Sequence, residues 1–131
     1  MSTAIQVVAA LIERDGKYLI TQRRETAVLP LLWEFPGGRV ETDETPRHAL
    51  ERELLERLAV KIEVGEELST IVHEYDRYSV TLTIFQATLL SDELTCLRVN
   101  DVRWATSEDF EKYDFPPADQ ATMDQLLGIS N

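Results

Sequence analysis

The sequence contains a single cysteine, Cys96, so an internal disulfide is excluded. A chain without that cross-link must hold itself together by a packed core, and such cysteine usage fits a reducing cytoplasm. Cys96 itself reads as a small buried or semi-buried hydrophobe, with a reactive thiol as the alternative. Long apolar runs are missing too: none approaches the roughly 20 residues that a membrane-crossing helix needs. Met1-Ser2-Thr3-Ala4 has no basic segment leading into an apolar stretch and a small-residue cleavage site, so no secretory signal is expected. Basic residues are scarce: 13 Lys and Arg stand against 24 Asp and Glu, a formal net charge of -11. That charge makes duplex nucleic acid and anionic membranes poor partners. A small phosphorylated ligand stays compatible with it, because a bound divalent cation can offset the local repulsion. Internal repeats, low-complexity segments and long linkers are absent, so residues 1–131 read as one domain, large enough for its own core.

What is present is alternation between extended and helical patterns. Ile5 to Ile12 is apolar and partly β-branched, Asp15-Gly16 supplies a turn, and Tyr18 to Thr21 is extended again, which predicts a hairpin. Glu25 to Leu32 is a loop with Pro30, and Trp33 to Gly38 is a short strand running into a glycine turn. The clearest helix has Thr45 as N-cap and Pro46 in its first turn. Leu50, Leu54 and Leu58 give it an apolar stripe, and it ends near Leu58. Val60 to Val64 is extended and broken by Gly65, and Leu68 to His73 forms a further strand. Period-two alternation from Tyr78 to about Leu89 predicts a long strand. Ser91 to Asn100 is polar and irregular, and Val102 to Ala105 is a short strand. Ser107 to Tyr113 is a brief helix capped by Ser107, and Ala118 to Leu127 is a final helix after Pro116-Pro117. The class is α/β, with a mixed sheet between helices in preference to a doubly wound parallel one.

The chemistry concentrates in the loop and helix from Gly37 to Val60. Glu53 and Glu56 are three residues apart and therefore neighbours on one helical face. Two such carboxylates offer the hard oxygens that Mg²⁺ takes, and an ion there would bridge phosphate oxygens and activate water. The alternative is a solvated amphipathic helix, on which Glu and Arg are common. Glu44 lies eight residues before Arg52, and an ion pair between them would fix the loop against the helix.

The spacing of these residues resembles the Nudix box: Gly, five residues, Glu, seven residues, then Arg-Glu-aliphatic-any-Glu-Glu-any-Gly-aliphatic. Gly38, Glu44, Arg52, Glu53, Leu54, Glu56 and Val60 fall in register with it. The lead-in Leu32-Trp33-Glu34-Phe35-Pro36-Gly37-Gly38 is similar to that of MutT-like members. So are the early strand Tyr18 to Arg24, with its Gln22-Arg23, and the tail Asp114 to Asp119. The resemblance implies an α/β/α sandwich that hydrolyses nucleoside triphosphates to a monophosphate and pyrophosphate. It implies Mg²⁺ or Mn²⁺ on Glu53 and Glu56, helped by the Gly37 carbonyl, with Glu53 alternatively positioning or deprotonating the water. It places Arg23 on phosphate, the alternative being a surface arginine at a strand end. Asp119 would read a base, such as the amine of cytosine or a purine edge, or cap the last helix. Phe35 and Tyr78 are rings for stacking on a base or for packing the core. His73 reads as structural or surface. The implied partner is a small nucleotide, an oxidised purine or a cytosine triphosphate, and both monomer and homodimer are compatible.

The chain departs from the pattern at three places. Arg57 stands where the last box glutamate belongs, and arginine cannot ligate a cation. Ala59 replaces the following glycine. Counting back from Arg103-Trp104 puts Arg98 and Val99 where relatives carry a Glu-His pair, leaving Asp101 or Glu93 as loop acids that would serve instead. Arg57 and Arg98 can alternatively bind phosphate directly through their forked donors, which points to a nucleotide-binding or regulatory module without turnover.

Overall fold

The computed structural model describes residues 3–27 and 29–116. Strand β1 (Thr3–Leu11) runs between β5 (Gly37–Arg39) and β7 (Tyr78–Leu89), and β6 (Ile62–Glu74) completes a four-stranded sheet in the order β5-β1-β7-β6. The sheet is mixed: β1 and β7 are parallel, from Thr3 opposite Tyr78 to Leu11 opposite Gln86, and the other pairings are antiparallel. A second sheet is built on β3 (Lys17–Gln22). It pairs with β8 (Asp101–Ala105) along one edge, and with β2 (Glu13–Arg14) and β4 (Trp33–Glu34) at the two ends of the other.

Neighbours on both edges and packing on both faces explain why β1 reads as a nearly continuous apolar run. Its side chains alternate between two cores. Val8 and Ala10 pack under the long helix α1 (Pro46–Leu58), while Ala9 and Leu11 join Ile20, Phe35, Ile84 and Phe110 on the opposite face. The predicted hairpin is corrected in extent. Asp15 and Gly16 both have positive φ and close a tight turn, but only Glu13–Arg14 faces Lys17–Tyr18 across it. The body of β1 goes to β5 and β7 instead.

Helix α1 forms as its local signals dictate. Thr45 Oγ1 accepts the His48 N–H at 3.1 Å, and Pro46 opens the first turn. Leu50, Leu54 and Leu58 are fully buried against the sheet. Ala59 ends the helix in the left-handed conformation (φ 54°, ψ 37°), its N–H bonded to the Leu55 carbonyl. Gly65 does not break a strand as predicted. It lies inside the continuous β6, where the register against β7 shifts between Val64 and Ser69. A 3₁₀ turn covers Ser107–Lys112, with Thr106 and not Ser107 in the cap position. Cys96 is exposed, contrary to the buried or semi-buried reading. No helix among the described residues is long and apolar enough to cross a membrane. The predicted helix Ala118 to Leu127, Asp119 included, lies outside the described residues.

Candidate active site

The site is assembled where α1 crosses β5. Gly37 lies opposite Ala9, and a Cβ on it would collide with the Val8 carbonyl, so only glycine lets β5 approach β1. A Cβ on Gly38 would collide with the Glu53 carboxylate. The paired glycines therefore seat a buried helix carboxylate directly against strand backbone.

Arg52 ties this junction together. Its Nε and Nη2 grip Glu44 Oε2 and Oε1 at 2.7 and 2.9 Å, and Nη2 also donates to the Arg39 carbonyl at 3.0 Å. Its Nη1 donates to Glu53 Oε1 at 3.0 Å and Glu56 Oε2 at 3.2 Å. The loop–helix ion pair expected from spacing is thus present, as a two-pronged fork. The Arg52 hydrogen bonds, with help from the Glu41 N–H, hold the Glu44 carboxyl down at about 2.

Glu53 is one of two buried polar residues among those described, with Thr21. Its second oxygen, Oε2, accepts from Arg57 Nε at 2.5 Å. Glu56 also faces Arg98, with Nη1 3.7 Å from Oε2. Arg98 arrives there because its loop closes the end of α1. Thr95 N–H bonds the Leu58 carbonyl, and the Leu97 and Arg98 N–H groups bond the Arg57 carbonyl, satisfying acceptors that a helix end leaves open. Neither proposed loop acid joins the site. Asp101 is engaged by Arg103 at 2.7 Å, and exposed Glu93 lines neither cavity of the site. Val99 is buried in the core.

Two cavities meet here. One, of about 250 Å³, is polar and lined by Arg23, Arg24, Thr26, Glu53, Glu56, Arg57 and Arg98. The other, about 370 Å³, has apolar walls from β1 and β7, including Val7, Val80 and Leu82. Arg23 and Arg57 line both. Arg23 follows the end of β3 and is partly buried, and its Nη1 bonds Glu34 Oε1 at 3.1 Å. Burial pushes the Glu34 carboxyl up, against the opposing pull of Arg23 and Arg57. Glu34 escaped the sequence reading, and its one signal is a lone carboxylate within the apolar Trp33–Phe35 lead-in.

Among the aromatic candidates, Phe35 belongs to the core: it is 1% exposed and packs against Phe110 and Phe115 at 5.8 and 6.0 Å. It nonetheless contributes to the wall of the larger cavity. Tyr78 stacks on Tyr75, 4.9 Å apart and 22° from parallel, and both rings line that cavity. Tyr75 was missed because its role comes from its partner and not from its own segment. His73 packs edge-on against Tyr75, in keeping with a structural role.

As a metal site, the donor set is short. Glu53, Glu56 and the Gly37 carbonyl are hard oxygen donors of the kind a divalent ion takes. Arg52 and Arg57 hold both oxygens of Glu53. Among the described residues no group of three or more His, Cys, Asp or Glu could hold a metal.

The chain is similar in sequence and fold to known proteins of one family. The profile of the NUDIX domain matches residues 7–125. The chain is 35% identical over 125 residues to the CTP pyrophosphohydrolase of Escherichia coli strain K12, covering 95% of this chain and 93% of that protein. It is 34% identical over 92 residues to the 8-oxo-dGTP diphosphatase of Proteus vulgaris, covering 70% of this chain and 82% of the relative. Among solved structures, the E. coli ORF135 protein superposes with a TM-score of 0.81 at 34% identity, over 98% of this chain and 91% of that one. The MutT protein of methicillin-resistant Staphylococcus aureus 252 does so with a TM-score of 0.77 at 37% identity, over 99% of this chain and 100% of its own. The chain belongs to the Nudix family, among its MutT-like members.

Proposed function

We propose that the protein is a nucleoside triphosphate pyrophosphohydrolase, releasing a monophosphate and pyrophosphate. The observation that carries this reading is the meeting of an apolar, tyrosine-lined cavity with an arginine-rich one beside Glu53 and Glu56. A base fits the first by stacking on Tyr78 and Tyr75. A polyphosphate fits the second, where Arg23 stands at the junction to hold it. Relatives that act on CTP and on 8-oxo-dGTP support the two candidate substrates, a cytosine and an oxidised purine triphosphate. Asp119 is the proposed reader of the base.

Nudix hydrolases generally use divalent metals. Mg²⁺ or Mn²⁺ would be held here by Glu53, Glu56 and the Gly37 carbonyl, where it supplies charge for the phosphates and a more acidic water. Arg52 keeps the two carboxylates side by side, and Glu44 keeps Arg52 in place. Glu53, buried and pressed on β5, is the carboxylate placed to orient the water or take its proton. The net charge of -11 and the single cysteine fit a small nucleotide as partner, in a reducing cytoplasm, over duplex nucleic acid.

The test is a panel of nucleoside triphosphates, CTP and 8-oxo-dGTP among them, incubated with Mg²⁺ or Mn²⁺ and assayed for pyrophosphate. Release from at least one is expected. Absence of release from every triphosphate under both metals overturns the reading.

A further inference from the structure

The polar cavity has an unexpected charge. In a protein of net charge -11, its lining sets four guanidiniums, on Arg23, Arg24, Arg57 and Arg98, against two carboxylates, on Glu53 and Glu56. Arg57 is the member at the centre. It lines both cavities, bonds Glu53 Oε2 through Nε, and is about one-third exposed. A guanidinium on a buried carboxylate occupies the place that a cation on that carboxylate would have, and supplies positive charge there, though one unit where a divalent ion carries two. It also repels a second cation brought to the same oxygens.

We propose that Arg57 takes the place of one divalent cation, so that the protein binds the phosphates of a nucleoside triphosphate directly, with no metal ion needed for binding. This rests on the nucleotide reading above and deepens it. The forked donors of Arg57 match phosphate oxygens in a way that a lysine would not. A triphosphate carries more charge than the Glu53 carboxylate, so it draws Arg57 across the cavity toward Arg23 and Arg98. Glu53 is thereby released to the water or to a single ion. Binding and turnover then have different metal requirements: the first has none, and the second keeps one.

The experiment measures binding of the α,β-imido analogues of CTP and dGTP by calorimetry, in EDTA and then with Mn²⁺. For the unaltered protein, Kd in EDTA is expected within about threefold of Kd with Mn²⁺, since a guanidinium fork replaces the ion's contacts. Arg57→Glu should weaken binding in EDTA by about 100-fold, the loss of charge-assisted hydrogen bonds, and recover it with Mn²⁺. Electron paramagnetic resonance should show tighter Mn²⁺ binding to that variant than to the parent. If Arg57→Glu does not fold, Arg57→Gln serves: binding in EDTA should fall by about tenfold or more. A parent protein that binds only with Mn²⁺ overturns the proposal, and so does either variant binding in EDTA as the parent does. Metal-free binding with no pyrophosphate released from any triphosphate would leave the Arg57 site standing and overturn the pyrophosphohydrolase reading alone. Failure to bind either analogue in both conditions overturns the Arg57 proposal, while pyrophosphate release across the triphosphate panel decides the pyrophosphohydrolase reading.

Discussion

Arg52 and Arg57 stand on one helix, both hold Glu53, and they differ in everything else. Arg52 is saturated. Its donors are spread over Glu44, Glu53, Glu56 and the Arg39 carbonyl, and they link three segments of chain. Among the described residues Arg57 ion-pairs with one carboxylate, Glu53, four residues back on its own helix, and acts on Glu34 only at longer range. A guanidinium whose fork is filled by the protein is part of the scaffold, because no ligand can offer it more than it has. One with a single local partner is available to a ligand of higher charge. The same residue type, five positions apart, thus serves architecture at one end and binding at the other.

The comparison can be broken in four ways. The largest effect is expected for the carboxylate that both arginines share. Glu53→Gln should lower turnover by about 10³-fold, the scale of a lost general base, in steady-state pyrophosphate release. An unchanged rate would remove Glu53 from the chemistry. Next, lysine should separate the two arginines. Arg52→Lys breaks the fork on Glu44 and should lower the thermal midpoint visibly. Arg57→Lys should change stability by no more than about 0.5 kcal/mol, as for a partly exposed i,i+4 pair. Equal losses of midpoint in the two variants would erase the distinction. Third, the scaffold pair should show in acid. Glu44 is held at about 2 against an ordinary value of 4.5. Its contribution is therefore complete above that ordinary value and is lost as pH falls from there toward 2. Midpoints measured across this window should converge on those of Glu44→Gln at the acid end, and parallel curves would deny the pair any stabilising role. The smallest effect belongs to the helix exit. Ala59 sits at φ 54°, where glycine is unstrained, so Ala59→Gly should stabilise by about 0.5–1 kcal/mol in chemical denaturation. A loss of stability would mean that Ala59 contributes packing that outweighs its strain.

Much of this was legible from residue order, for reasons that are themselves local. The cap at Thr45, the proline after it and the leucine stripe each act within a few residues, so α1 runs from Pro46 to Leu58 as its local signals predict. The Glu44–Arg52 fork was legible because the box spacing encloses one loop and two helical turns. Counting back from Trp104 drew notice to Arg98 in a loop that looked featureless, and its Nη1 lies 3.7 Å from Glu56 Oε2. What stayed hidden depends on distant partners. Nothing in Ile5 to Leu11 says that it lies parallel to a strand beyond residue 78. Gly65 looked like a strand end, because a register shift cannot be told from a break without knowing the opposite strand. Glu34 and Tyr75 gained their roles from burial and stacking that their own segments do not encode.

The parallel pairing of β1 with β7 also orders events in time. Residues 38–60 contain the whole box, and its helix closes on contacts between near neighbours. The apolar cavity beside it needs Ile5 and Val7 from one strand and Val80 and Leu82 from the other. Closing that pair means joining segments about 75 residues apart, a slow entropic search compared with forming a helical turn. During synthesis the carboxylates and arginines of α1 emerge first, and the cavity beside them takes shape only when β7 docks. The Glu53 and Glu56 carboxylates are thus made early, while the apolar cavity beside them and the Arg98 of the polar one wait for later segments of the chain.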